Sequence, residues 1–374
     1  MPKLLFFITE DWYFFSHRLP LAKAAIKAGF DVMLLTNVTS HADQIRAEGI
    51  RVIPIGLQRR SLNPLREMVT LCRVMSVYRT ERPDLVHHVA MKPVLYGGLA
   101  AWLTGVPRIV NALAGMGYLF ISQSVKAQLL RTFVTRLFRC ILNRENSRLI
   151  LQNPDDVEMV VSHGLAAASL VRMIQGSGVD VSLFSPAPEA PLPVTVILPA
   201  RMLVDKGVLE FVEAARILSR DHRSARFILV GMCDPENPAA VTEDQLRNWQ
   251  QEGVVEWWGH CSDMPEVLSR AHIVCLPSYR EGLPKSLLEA AACAKPIVAT
   301  DVPGCREIVH DSVNGLLVPA RDSGALAEAL RRLIDDRELR GKMGAKGREM
   351  VLNEFSEEKV TAETMAVYRE LLSR

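Results

Sequence analysis

"HIVCLPSYREGLPKSLLEAAACAKPIVAT", residues 272–300, holds the smallest unit from which the fold follows. "HIVCLP" (272–277) and "PIVAT" (296–300) are short apolar runs of strand length. Between them Pro284 opens a helix, because its missing N–H costs nothing in a first helical turn. Two strands joined through a helix lie parallel, since a parallel pair needs a crossover connection of about this size.

The same alternation extends in both directions. Towards the C-terminal side of the chain's middle it includes "VTVILPA" (194–200), a helix around 207–219, "ARFILVG" (225–231), "VVEWWG" (254–259) and a helix near 263–271. Earlier come the strand-like runs "KLLFFIT" (3–9), "DVMLLT" (31–36), "IRVIPI" (50–55), "DLVHHV" (84–89), "RIVNAL" (108–113) and "RLILQN" (148–153). Strands alternating with helices argue an α/β fold with parallel sheets covered on both faces. The pattern breaks at "GSGVDVSLFSPAPEAPLPV" (176–194), whose prolines make a regular element unfavourable. The expectation is therefore two Rossmann-like, doubly wound domains facing a cleft. Their boundaries are 1–178 and 194–353, with a linker at 179–193 and a C-terminal helix in 354–374 whose return to the first domain is left open. Ser356 with Glu357 and Glu358 in the first turn caps that last helix.

Composition limits the function classes. The chain has 374 residues, of which 49% are hydrophobic and 23% charged, the balance of a globular protein rather than a disordered one. The opening apolar run meets Glu10 and Asp11 too soon for a secretory signal, and no stretch reaches the roughly 20 apolar residues of a spanning helix. Seven cysteines without a Cys-x-x-Cys pair fit reduced thiols, in a cytoplasmic protein, better than disulfides or a zinc site. The net charge of +2 hides an asymmetry: residues 1–178 carry 21 Lys and Arg against 12 Asp and Glu, and the remainder 23 against 30. Much of the positive charge falls on two expected helices, 63–82 and 124–148. In the second, Leu129, Phe133, Leu137 and Ile141 recur every four residues, with Lys126, Arg131, Arg136, Arg139 and Arg144 around them. Such a helix suits an anionic membrane surface or an acidic substrate, and equally a core with a solvated basic face. No nucleic-acid motif accompanies the charge.

Ligands of open α/β sheets bind beyond the carboxyl ends of the strands. After the strand 194–200, Arg201 and Lys206 stand five apart on one loop, a pairing that suits a diphosphate: Arg forks onto oxygens and Lys acts as a point charge. After the strand 272–277, Glu281 precedes a helix whose first amides, on Lys285, Ser286 and Leu287, form an anion site. Glu289 lies about 7 Å further along the axis, at ~1.5 Å per residue. Carboxylates that flank a diphosphate can accept from sugar hydroxyls on either side of it.

Arg201 and Lys206, "EGLPKSLLE" (281–289), "DVPGCREIVHDSVNGLLVP" (301–319) and the "GSGVD" linker resemble the retaining glycosyltransferases of family 4, which have the GT-B architecture, over nearly the whole chain. The resemblance implies that Arg201 and Lys206 hold the donor diphosphate, that Glu281 contacts the donor sugar, and that Glu289 binds the ribose. Gly282, Leu283, Pro284, Lys285 and Ser286 complete the donor site, with Gly259 and His260 near the base. It also implies a retaining enzyme in which the leaving diphosphate helps deprotonate the acceptor. With Arg, Lys and helix amides supplying the charge, and with no Asp-x-Asp motif, neither metal nor cofactor is expected.

The first half departs from the family pattern. A glycine-rich loop after the first strand is replaced by "TEDWYFFSHRLPLAKAA" (9–25), where Ser16 is expected as a cap and His17-Arg18 as the start of a helix. The family's histidine in a His-Gly pair is replaced by Ala114-Gly115. His17, His87, His88, Lys92 and Gly115 are then the acceptor or cleft candidates. "NALAGMGYLF" (111–120) is similar to the members that extend lipid-linked and surface polysaccharides. That branch implies a UDP-sugar donor, an N-acetylhexosamine, and a polyprenyl-diphosphate saccharide acceptor, in O-antigen, surface-polysaccharide or protein-glycan assembly, with peripheral contact at the inner face of the cytoplasmic membrane. A hydrolysing nucleotide-sugar epimerase and a non-catalytic nucleotide-sugar sensor are the alternatives.

Overall fold

The computed structural model describes residues 1–57, 63–113, 135–220, 225–235 and 237–373. The chain divides into two compact units, Met1–Ser177 with Val360–Arg374, and Gly178–Lys359.

The first unit is built on a seven-stranded sheet: β1 Lys3–Glu10, β2 Asp31–Asn37, β3 Arg51–Pro54, β4 Leu85–Val89, β5 Ile109–Leu113, β6 Ser147–Leu151 and β7 Val171–Met173. The order is β3-β2-β1-β4-β5-β6-β7 and every pairing is parallel. Alternate residues of β1 enter opposite cores: Leu4, Phe6 and Ile8 pack with Phe14 and Leu21, while Leu5 and Phe7 pack with Tyr78 and Ala101. Burial on both faces is why the strand reads as an unbroken apolar run rather than an alternation.

The second unit carries β8 Val194–Pro199, β9 Ala225–Val230, β10 Glu256–Gly259, β11 Ile273–Leu276, β12 Ile297–Thr300 and β13 Gly315–Val318. Their order is β10-β9-β8-β11-β12-β13, again all parallel. In each sheet the chain steps outward one way from its first strand and then crosses to that strand's other side. This leaves a topological switch point at β1/β4 and another at β8/β11.

The proline-rich stretch 179–193, expected as a linker, packs on the second unit. Val179 and Phe184 are buried with Ile197, Val274 and Phe355, and Arg348 donates to the carbonyls of Val181 and Phe184 at 3.0 and 2.7 Å. Prolines prevent a regular element here but do not prevent burial of the apolar residues between them. The helix Glu357–Leu372 returns to the first sheet. Val360, Met365, Tyr368 and Leu371 join the core around Phe6, and Glu370 accepts from Arg148 at 2.7 Å and Arg172 at 2.9 Å.

Of the two expected basic helices, one forms where the sequence places it and the other is described only in part. The basic segment 63–82 forms the helix Pro64–Glu81, capped by Asn63, whose side chain accepts from the Leu65 amide at 3.0 Å. Of the expected helix 124–148, residues 124–134 lie outside the described residues, 135–142 are helical, and Ser147 already begins β6. Phe138, Ile141 and Leu142 are buried with Val94 and Leu149, so in this part the core takes the apolar stripe. Near the N-terminus Ser16 is not a cap. A helix starts directly after β1, Asp11–His17, and a second, Leu19–Lys27, follows a break at Arg18. Asp11 organises the end of β1, accepting from the amides of Thr39 at 2.8 Å and His41 at 3.0 Å.

Candidate functional site

Local backbone chemistry brings the second unit's charged residues together at its switch point. Beyond β8 a short 3-10 turn, Val204–Lys206, ends at Gly207, whose φ is +72°. A Cβ on Gly207 would lie 2.1 Å from the Pro277 carbonyl oxygen, so only glycine lets this loop close onto the end of β11. The Tyr279 amide donates to the Asp205 carbonyl at 2.9 Å, and the Tyr279 hydroxyl to Glu210 at 2.7 Å. These contacts place Lys206 against Glu281, with its Nζ hydrogen-bonded to Oε1. The same oxygen accepts from the buried Ser278 hydroxyl at 2.6 Å. Arg201 donates to Asp234, beyond β9, at 2.8 Å. Each of the two cations thus already has a carboxylate partner.

Gly282 and Glu281 are held from the β12 side. The Glu281 amide donates to the Pro303 carbonyl at 3.2 Å. Gly304, at φ +83°, approaches so closely that a Cβ there would sit 2.5 Å from the Gly282 carbonyl oxygen. Pro284 is the N-cap of the helix Lys285–Ala292, one position earlier than expected, because its ψ of 112° is extended. The Leu287 amide consequently donates to the Pro284 carbonyl at 3.1 Å and leaves the expected trio of anion-facing donors. Leu283 is half-buried, as are Lys285 and Ser286 in the helix's first turn. Glu289 is largely buried one turn on, and burial pushes its carboxyl up to about 7 against the pull of the Lys285 ammonium 3.8 Å away. His260 is exposed beyond β10, two strands from β8, about 10 Å at the usual strand spacing.

In the first unit the candidates separate. His87 and His88 are not cleft residues: both are fully buried in β4, a strand covered on both faces. His87 Nδ1 lies 2.5 Å from the Tyr368 hydroxyl. His88 bridges the Tyr78 hydroxyl at 2.9 Å and Asn111 Oδ1 at 2.8 Å. Burial drives both imidazoles down, His88 to about 4, so they are neutral core groups. Lys92 follows β4 at the β1/β4 switch point, bonded to Glu67 at 3.0 Å. It is preceded by Ala90, which has a φ of +82° that a side chain rarely adopts. His17 is half-buried and stacked on Tyr13 at 4.3 Å. Ala114 and Gly115 lie outside the described residues.

Sequence reasoning missed Asp234, Ser278 and the clamp of Gly207 and Gly304. A signal existed for the first two, since both follow the carboxyl end of a strand. For the clamp there was none, because a close approach between distant backbone segments leaves no local pattern.

Beyond the ends of β8 and β11 lie two cations, the positive end of a helix and two carboxylates, a chemistry suited to a diphosphate flanked by hydroxyls. Residues 193–336 match the model described as glycosyl transferases group 1, and residues 3–153 the one described as glycosyl transferase 4-like. The chain is 30% identical to the N,N'-diacetylbacillosaminyl-diphospho-undecaprenol alpha-1,3-N-acetylgalactosaminyltransferase of Campylobacter jejuni, over 86% of this chain and 87% of that one. The chain belongs to the group 1 glycosyltransferases. This glycosyltransferase is also 23% identical to a UDP-Gal:alpha-D-GlcNAc-diphosphoundecaprenol alpha-1,3-galactosyltransferase of Escherichia coli, over 87% of this chain and 86% of that one. It shares its fold with Anabaena Alr3699/HepE, solved in complex with UDP and glucose: TM-score 0.81 at 19% identity, over 99% of this chain and 100% of that one. The glycosyltransferase has the two doubly wound parallel units of the GT-B class.

Proposed function

We propose that the protein transfers a sugar, an N-acetylhexosamine, from a UDP-sugar to a polyprenyl-diphosphate-linked saccharide with retention of anomeric configuration. The second unit takes the donor and the first the acceptor. The observation that carries this reading is the convergence of Arg201, Lys206, Glu281 and Glu289 on the β8/β11 switch point. The acceptor class is supported by the relatives, whose names specify diphospho-undecaprenol-linked sugars.

Donor binding exchanges partners in this reading. The diphosphate draws Lys206 from Glu281 and Arg201 from Asp234, and the released Glu281 carboxylate accepts from a hydroxyl of the donor sugar. The bond between the anomeric carbon and the diphosphate oxygen breaks, the bond to the acceptor oxygen forms on the same face, and the acceptor proton passes to the departing diphosphate. Negative charge grows on that leaving group, so cations and the helix terminus stabilise the transition state more than the ground state. Lys206→Ala should lower the rate of UDP release from a UDP-N-acetylhexosamine with acceptor by about 10³-fold, with an unchanged far-ultraviolet spectrum. Near-normal turnover would remove Lys206 from the reaction.

We also place the protein at the inner face of the cytoplasmic membrane, as a peripheral component. Among the described residues no helix is long and apolar enough to cross a membrane. The helix Pro64–Glu81 instead exposes Leu65 (79%) and Met68 (60%) beside the exposed Arg66 and Arg73, a combination that favours an anionic interface. Flotation with anionic liposomes at low salt should carry the protein upward and release it at high salt. Protein left at the bottom at low salt would refute the placement.

A further inference from the structure

The second unit has a separate cavity of about 340 Å³ on the side where β11 and β12 begin, away from the strand ends that carry Lys206 and Glu281. Its walls are the turn Cys293–Pro296, His272, Glu189 and the first turn of the helix Arg337–Glu354. Gly344 fixes these walls, since a Cβ there would lie 2.0 Å from the Ala294 carbonyl oxygen, whereas a Cβ at Gly341 would meet nothing within 4 Å.

The charges in this cavity do not balance. Lys295, Arg337 and Arg340 contribute three positive charges and Glu189 one negative. Glu189 is fully engaged: Oε1 accepts from Arg340 at 2.7 Å and Oε2 from Arg337 at 2.6 Å. Arg340 also donates to the carbonyls of Leu333 and Ile334 at 2.8 and 3.1 Å. His272 is neutral and occupied, accepting from the Thr195 amide at 3.1 Å through Nδ1 and donating to the Ala190 carbonyl at 3.0 Å through Nε2. Lys295 is only 5% exposed, and its ammonium has no acceptor within hydrogen-bond distance among the described residues. Its Nζ is not among the buried unpaired atoms, so within this buried residue the ammonium is the end that opens to the cavity, where an anion could accept from it. Burial accordingly lowers the Lys295 ammonium from the usual lysine range.

We propose that this cavity is a second anion site, which binds a dianionic phosphate group between Lys295 and Arg337. Two negative charges cancel the local excess, and a phosphate supplies the acceptor oxygens that Lys295 lacks. The volume lies at the lower end of the range for small-molecule sites, enough for inorganic phosphate or a small phosphate monoester.

The test is calorimetric titration of sodium phosphate into the full chain carrying Lys206→Ala, which weakens competition from the strand-end site. Saturable one-to-one binding is expected, weakened about tenfold or more by adding Lys295→Met, and by adding Arg337→Ala, with unchanged melting curves. Arg337 is 81% exposed in its side chain, so its variant keeps the test available should the lysine variant fail to fold. A hexose monophosphate that binds about tenfold tighter than phosphate assigns the ligand to the monoester class, and equal affinity assigns it to free phosphate; either sustains the site. No saturable binding, or an affinity indifferent to the folded second-site variants, overturns it.

Discussion

At the switch point of the second unit, the residues that follow the strands reach out as charged pairs, Lys206 with Glu281 and Arg201 with Asp234. In the first unit, the two histidines near the end of β4 turn inward instead, onto Tyr368, Tyr78 and Asn111. One topology therefore houses two kinds of polar group. A pair at a strand end can change partners when a ligand arrives. His88, inside a twice-covered strand, cannot, because an exchange would leave the buried Tyr78 hydroxyl or Asn111 Oδ1 unpaired. Position relative to the last covered residue, rather than residue type, separates a site from a core network.

That comparison can be broken experimentally, beginning with the loss expected for Lys206→Ala, the largest effect in the account. Next comes His88→Ala, which opens a cavity and removes the partner of the Tyr78 hydroxyl and of Asn111 Oδ1, while Asn111 keeps its bond to Ser147. It should cost about 3 kcal/mol of stability in a denaturant melt and leave the KM for donor unchanged. A raised KM at unaltered stability would return His88 to the substrate site.

A smaller effect should appear in pH dependence. With its carboxyl at about 7, Glu289 is mostly protonated at pH 6 and mostly ionised at pH 8. If the ionised form is the one that accepts from ribose hydroxyls, a UDP-sugar should bind about tenfold tighter at pH 8 than at pH 6, and Glu289→Gln should remove the difference. The diphosphate of a UDP-sugar does not titrate in this interval, which makes it a better probe than UDP. The stability sign is opposite. A carboxyl raised above its unfolded value contributes stability at low pH that is lost as pH rises through about 7, so Glu289→Gln should gain stability relative to the parent at pH 8. A flat affinity profile in the parent would detach Glu289 from the nucleotide.

Much of this was legible before any coordinates. Eleven strand positions follow from apolar runs, because parallel strands covered on both faces concentrate Val, Ile and Leu locally. β7 and β13 were not among them: β7 has only three residues, and β13, as long as β11 or β12, lies inside the 301–319 stretch that reads as a motif. Arg201, Lys206, Glu281 and Glu289 were visible as residues following strands. The pairing of Lys206 with Glu281 was not, since it depends on Gly207 and Gly304 pressing separate loops together. The seat of Tyr368 beside His87, 281 residues away in sequence, is likewise a tertiary fact.

The most direct measurement of the central claim is product mass and anomeric configuration after incubating the purified chain with UDP-, GDP- and ADP-sugars and a short polyprenyl-diphosphate glycan. The account predicts UDP release from a UDP-N-acetylhexosamine together with a glycan heavier by one α-linked sugar. An altered free sugar formed without acceptor, or tight nucleotide-sugar binding with no release from any donor, would contradict it.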